Sequence, residues 1–176
     1  MGSSLTKRPH AAGPIRRPVA LKAGHDLSCF DCGSEVITRW LKTRARDASE
    51  EDTARVYVVT RDAKKVVAFY ALAAGGVARS EAPGALRRNS PDPIPVIILA
   101  VLGVDKTEQR RGLGQDLLSD AMRRALQASK IIGARALLVH ALDARTAEFY
   151  QQHGFRPFAG AAETLFLAMK AVRQHL

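Results

Sequence analysis

This sequence is poor in cysteine, in acids and in long apolar stretches, and each shortage removes a class of protein. Two cysteines in 176 residues, Cys29 and Cys32, cannot staple a small disulfide fold. Their C-x-x-C spacing lacks the second ligand pair of a structural zinc site, and its surroundings do not suggest a redox fold. Two reduced thiols and no metal are therefore expected. The longest apolar run, Val96 to Val104, is about half of what a bilayer span needs. No continuous apolar segment of signal-peptide type opens the chain, so a cytoplasmic protein without a membrane partner is expected. Only 17 acids face 27 lysines and arginines, a net charge of +10. That excess suits nucleic acid phosphates, an acidic partner or a phosphorylated cofactor, and charge alone does not choose among them.

The length predicts one domain over residues 15–176, preceded by an aperiodic, frayed arm over residues 1–14, either a native extension or a cloning remnant. A short strand is expected over Arg17 to Leu21. Ser34 then caps an amphipathic basic helix whose apolar stripe is Val36, Ile37, Trp40 and Leu41. Val56 to Thr60 and Val66 to Ala73 read as a β-hairpin. The glycines and prolines between Gly75 and Pro95 are dense enough to forbid a long regular element. Val96 to Val104, apolar at nearly every position, is the expected sheet centre, covered on both faces. Leu113, Leu117, Leu118, Ala121, Met122, Ala125 and Leu126 stripe a helix within Gly112 to Ile132, which Gly133 ends. Ala136 to Ala141 completes a strand-helix-strand unit expected to be a right-handed parallel crossover. Asp143 caps a short helix through Gln152, and Thr164 to Met169 is the last expected strand.

The informative segment is Gln109-Arg110-Arg111-Gly112-Leu113-Gly114, between the central strand and the long helix. First-turn N–H groups have no intrahelical acceptor and glycine lets them approach a ligand, so the junction suits a pyrophosphate, with Arg110 and Arg111 adding charge. An ordinary turn into a helix is the competing reading. The segment lacks the Gly-Lys-Ser/Thr triplet of a P-loop and the third glycine of the dinucleotide fingerprint, which removes ATPases and dehydrogenases.

In this setting the segment resembles the Q/R-x-x-G-x-G/A signature of the GCN5-related N-acetyltransferase (GNAT) family. Val139 to Phe155, ending in F-Y-x-x-x-G-F, resembles that family's later cofactor region. The resemblance implies an α/β fold, with a mixed central β-sheet flanked by α-helices and splayed parallel strands forming the acetyl-CoA cleft. By it, Gln109 to Gly114 would hold the pyrophosphate of acetyl-CoA, main-chain groups of Leu102 and Val104 would pair with its pantetheine arm, and Phe149 would line the site. The resemblance also puts Asp143 among the cofactor-binding positions, although many relatives have asparagine there, and helix capping is a sufficient alternative reason for it. Phe30-x-Cys32-Gly33, Trp40-Leu41 and Phe69-Tyr70-Ala71-Leu72 further resemble TacT-type toxins of type II toxin-antitoxin systems. Such toxins acetylate the α-amine of aminoacyl-tRNA, block translation and are held by ribbon-helix-helix antitoxins. A tRNA acceptor would account for the +10 charge, with Arg44, Arg46, Arg79, Arg87 and Arg88 as candidate phosphate contacts. Homodimer formation stays open.

Acetyl transfer needs a neutral amine, a stabilised oxyanion and a proton for the departing thiolate. Tyr150 is the candidate acid: a phenol near pKa 10 is protonated at neutral pH and is expected to donate to a thiolate of about 8.5. Phe149, about 100° away on the helix, is then the better core residue, since both should not face one pocket. An α-amine of pKa about 7.7–8.0 is partly neutral unaided, so no base is assigned. Glu35, Glu108, Glu148 and Glu163 read as solvated or helix-end charges. His140 reads as an interior strand residue, His153 as a helix C-terminal residue and Trp40 as core. The alternatives are acetylation of a small amine or a protein N-terminus, and a non-catalytic nucleic-acid-binding or regulatory module.

Overall fold

The structure, a computed structural model, describes residues 13–176; of the expected arm, residues 1–12 lie outside that range. Its centre is a seven-stranded sheet. A two-residue edge strand β1 (Val19–Ala20) pairs with β2 (Arg55–Arg61), which forms a hairpin with β3 (Lys65–Val77). β3 lies antiparallel to β4 (Ile94–Val104), and β4 lies parallel to β5 (Ala136–His140). β7 (Ala161–Ala168) follows β5 and carries β6 (Arg156–Phe158) on the far edge, giving the order β1-β2-β3-β4-β5-β7-β6. The parallel pair is the expected crossover, joined by helix α4 (Leu113–Ile132).

α4 forms where its stripe falls: Leu113, Leu117, Leu118, Ala121, Met122 and Ala125 are buried against the sheet. Each buried leucine stabilises by about 1.5–3 kcal/mol relative to exposure. Ala147 and Tyr150 of α5 (Ala144–Gln152) and Met169 and Val172 of α6 (Met169–His175) join the same core. A second core packs Leu41 and Ala45, from α1 (Glu35–Thr43) and α2 (Ala45–Glu50), with Phe30, Val58 and Phe69. A third gathers Leu86 of the one-turn helix α3 (Gly84–Arg87) with Ile94, Leu138 and Phe166.

The central hairpin departs from the sequence reading. β3 runs four residues past Ala73 and β4 starts at Ile94, through the segment whose glycines and prolines suggested no long element. Gly75 and Gly76 pair with Val96 and Pro95. A Cβ on Gly75 would collide with the Ile98 side chain, so glycine there serves close packing inside a strand rather than a break. β6 and α6 were not expected; three residues including Pro157, and seven at the chain's end, carry too little periodicity to be read.

Candidate active site

The site begins where the parallel strands part. β4 pairs with β5 only from Val96 to Leu99, while its other edge follows β3 to Val104. Between the pairs Leu72–Leu99 and Ala71–Val101 the register slips, leaving Ala100 without a partner. Such a bulge bends its strand and turns main-chain groups outward. Beyond Leu99, the edge of β4 that faces away from β3 therefore has no strand partner. A cleft of about 880 Å³ opens there, lined by Leu102, Val104, Gln109, Gly114, Phe149 and Tyr150 among others.

The loop between β4 and α4 is held from beneath. Asp105 accepts hydrogen bonds from the N–H groups of Asp31 (2.9 Å) and Thr107 (3.0 Å). Glu108, only 4% exposed, receives two bonds from the Arg61 guanidinium at 2.7 and 2.9 Å, which hold its carboxyl below the usual range. It is a sealed ion-pair partner, not the solvated charge expected. Gln109 donates through Nε2 to the carbonyls of Cys32 (2.8 Å) and Val104 (2.9 Å). Its amide thus ties the segment before α1 to the end of β4, and the Val104 carbonyl is engaged by protein.

Arg110 (φ 63°) and Gly112 (φ 84°) reverse the chain into α4, whose first intrahelical bond runs from Asp116 N–H to the Gly112 carbonyl. Among the described residues the N–H groups of Leu113 and Gly114 have no protein acceptor, the free donors expected of this junction. The Leu113 side chain lies in the core, so only its main chain reaches the cleft side. Arg111 is exposed, with its guanidinium 3.7 Å from Glu108.

α5 forms the opposite wall. Asp143 caps it, accepting from Thr146 N–H at 2.7 Å, and that bond lowers its carboxyl pKa. Phe149 and Tyr150 both line the cleft, although they are adjacent on the helix. Phe149 is half-buried and packs on His153 with ring centres 4.7 Å apart; Tyr150 is 4% exposed and belongs to the core. The expected division is thus reversed in burial, and the two share one pocket because the Tyr150 ring passes through the core to reach it. The Tyr150 hydroxyl makes no hydrogen bond within the described protein and is not sealed away, so it opens to the cleft.

Burial pushes the Tyr150 phenol well above its ordinary value. Donation to a thiolate of about 8.5 would be uphill even from a phenol near 10. The direction expected from the sequence is therefore corrected: unaided proton transfer from Tyr150 to the thiolate is uphill, and replacing its proton in the same event would remove that cost.

A smaller cavity of about 270 Å³ adjoins the cleft and shares Leu102, Leu142, Thr146 and Tyr150 with it. Val36, placed on the apolar stripe by its spacing, is 66% exposed at this mouth, whereas Trp40 lines the cavity and stacks on Phe69 at 6.0 Å. His140 is not interior: it is exposed at the end of β5, hydrogen-bonded to Thr164 Oγ1 at 3.2 Å, and lines the same cavity. Ala100, Val36, Ile37 and Thr146 were not singled out for the site. The bulge depends on strand register, which no local motif carries, and only the Phe30-x-Cys32-Gly33 resemblance pointed toward the α1 wall.

The five arginines do not form one track. Arg44 is exposed beside Trp40, whereas Arg46 donates to the carbonyls of Lys22 (3.0 Å) and His25 (2.7 Å) and is committed to the fold. Arg79, Arg87 and Arg88 are exposed near the start of β4, away from the cleft, where Arg135 donates to the Arg88 carbonyl. Among the described residues no group of metal-binding side chains gathers.

Residues 52–157 match the Acetyltransferase (GNAT) domain family. The chain belongs to the GNAT acetyltransferases. This GNAT protein is 43% identical over 156 residues to a tRNA-acetylating toxin of Mycobacterium tuberculosis, covering 89% of this chain and 93% of that one. A structure of AtaT complexed with acetyl-methionyl-tRNAfMet is 27% identical with TM-score 0.83, covering 92% and 98% of the two chains. A Tyr-to-Phe mutant of AtaT, bound to the C-terminus of the antitoxin AtaR and acetyl-CoA, is 26% identical with TM-score 0.78, covering 92% and 97%. The parallel β4–β5 pair in a seven-stranded mixed sheet is the GNAT architecture implied by the sequence resemblance.

Proposed function

We propose that this GNAT protein is a cytoplasmic toxin that transfers acetyl from acetyl-CoA to the α-amine of aminoacyl-tRNA and so blocks translation. The observation that carries this reading is the open Tyr150 hydroxyl, where the large cleft meets the smaller cavity, in a chain 43% identical to a tRNA-acetylating toxin.

The cleft suits acetyl-CoA on its own chemistry. The N–H groups of Leu113 and Gly114, the start of α4 and the side chains of Arg110 and Arg111 favour a pyrophosphate. The unpaired edge of β4 through Leu102 to the Val104 N–H offers strand-like hydrogen bonds to an amide-bearing arm, with Phe149 as an apolar wall. Gln109 and Asp143 act by building this seat, since their side-chain bonds are spent on the protein. Acetyl-CoA brings an activated thioester whose acyl carbon an amine can attack. An N–H at the Ala100 bulge is suited to the developing oxyanion, and Tyr150 supplies the proton that leaves with sulfur.

The acceptor enters from the α1 side. Arg44 stands nearest the smaller cavity and suits a phosphate of the acceptor stem, and Arg79, Arg87 and Arg88 could reach only a more distant part of a large ligand. A molecule the size of tRNA meets that requirement; a small amine does not. We further propose that a ribbon-helix-helix antitoxin restrains the toxin.

Expression of the chain in a bacterium is expected to arrest growth, and Tyr150→Phe to relieve the arrest while purified protein keeps its acetyl-CoA affinity within about twofold. Undiminished arrest by Tyr150→Phe would remove Tyr150 from the mechanism.

A further inference from the structure

Besides Tyr150, one titratable side chain lines the smaller cavity among the described residues: His140. It closes β5 at the point where β4 and β5 have parted, and it is exposed. Its Nδ1 lies 3.2 Å from Thr164 Oγ1 on the paired strand β7, where His140 and Thr164 are in register. In the tautomer whose Nδ1–H donates to Thr164 Oγ1, the imidazole is oriented and Nε2 is left unprotonated, able to accept a proton. His140 also lines a second cavity of about 470 Å³ on its other side, so it stands between the place where an amine would meet Tyr150 and a route outward. The groups that face it or neighbour its partner are Tyr150 across the smaller cavity, Glu81 in the second cavity, and Glu163 beside Thr164, whose carbonyl receives Ala141 N–H.

We propose that His140 is a catalytic base that takes the first proton from the acceptor ammonium, with Thr164 as its positioning residue. This rests on the acceptor being the α-amine of aminoacyl-tRNA. The ammonium gives one proton to the free nitrogen of His140, which holds it while the amine attacks and releases it to solvent only after the acetyl group has been transferred. The neutral amine then forms the new C–N bond as the C–S bond breaks. The nitrogen's second proton replaces the one that Tyr150 gives to the departing sulfur. Tyr150 thus never becomes a free tyrosinate, which its buried ring would disfavour.

The size of the effect is bounded by the acceptor itself. An α-amine of pKa about 7.7–8.0 is roughly a tenth neutral at pH 7, so a base adds at most about tenfold there and nothing well above pH 8. Wild type, His140→Gln and Thr164→Val are to be compared from pH 6 to 9.5 on aminoacyl-tRNA, with acetyl-CoA affinity measured by calorimetry. The expected result is a loss near tenfold at pH 7 for His140→Gln, with log(kcat/KM) falling at unit slope below about pH 8 and meeting wild type near pH 9. Affinity for acetyl-CoA stays within about twofold, and imidazole restores part of the rate of His140→Ala. Thr164→Val shows the same pH-dependent defect in weaker form. Parallel profiles offset at every pH, or unchanged rates, would overturn the role of His140 while leaving the acceptor assignment intact. Absence of wild-type turnover on aminoacyl-tRNA would overturn both.

Discussion

Tyr150 combines two demands that residue-by-residue reading treats as rivals. Its ring is core and its hydroxyl is site, because α5 packs on the sheet at the point where the cleft enters the same layer. Its pKa is pushed up by burial; that of Tyr70 is raised by burial first and then by its bond to Asp120. A phenol with a raised pKa supports the folded state in full below the unfolded value of about 10, and that support is lost as pH rises beyond it. Activity is therefore expected to show no descending limb from Tyr150 up to about pH 10, and thermal stability to decline above that. A rate that halves near pH 9 in parallel with phenolate absorbance would contradict this. The motif around Tyr150 was legible from its order in the chain, since the F-Y pair and the following glycine are local. The burial of Glu108 and the exposure of Val36 and His140 were not, because each depends on partners far away in sequence, such as Arg61, forty-seven residues from Glu108.

Among the elements, α4 was the most legible, since a 20-residue helix repeats its apolar stripe often enough to override accident. The hairpin β3–β4 was half legible: its apolar middle shows alternation and runs, but its glycine-rich end reads as a turn until Ile98 is seen to occupy the space that a side chain would need. The bulge at Ala100 has no sequence signature. At the head of α4 the two glycines serve different ends, which gives a separable pair of variants. Gly112 sits at φ 84°, where alanine pays roughly 1–2 kcal/mol, so Gly112→Ala is expected to lower thermal stability. A Cβ at Gly114 would meet Val104 Cγ2 at 3.9 Å and Phe149 Cζ at 4.0 Å, ordinary contacts, so the fold accepts a side chain that the cleft does not. Gly114→Val is expected to keep the melting temperature within a few degrees while weakening acetyl-CoA at least about tenfold by calorimetry. Unchanged affinity would place the cofactor elsewhere.

At the scale of the whole molecule, part of the positive charge stands at the cleft, on Arg145 of its wall and on Arg110 and Arg111 of the loop before α4, and part lies elsewhere, on Arg44 beside Trp40 and on Arg79, Arg87, Arg88 and Arg135 near the start of β4. Composition announced the charge, but its division follows from topology, because α3 returns the chain to the start of β4. Phosphate contacts release counterions, so the KM for aminoacyl-tRNA is expected to rise at least about tenfold between roughly 50 and 200 mM salt. The KM for acetyl-CoA should move far less. Loss of Arg88 should flatten that salt slope without changing kcat. Equal salt dependence for both substrates would argue for a small acceptor. The most direct measurement is mass spectrometry of the terminal aminoacyl-adenosine, released by nuclease from charged tRNA after reaction with the purified protein and acetyl-CoA. The expected product is heavier by one acetyl group on the α-nitrogen and absent with Tyr150→Phe. An unmodified aminoacyl end, while acetyl-CoA is consumed on other amines, would contradict the assignment.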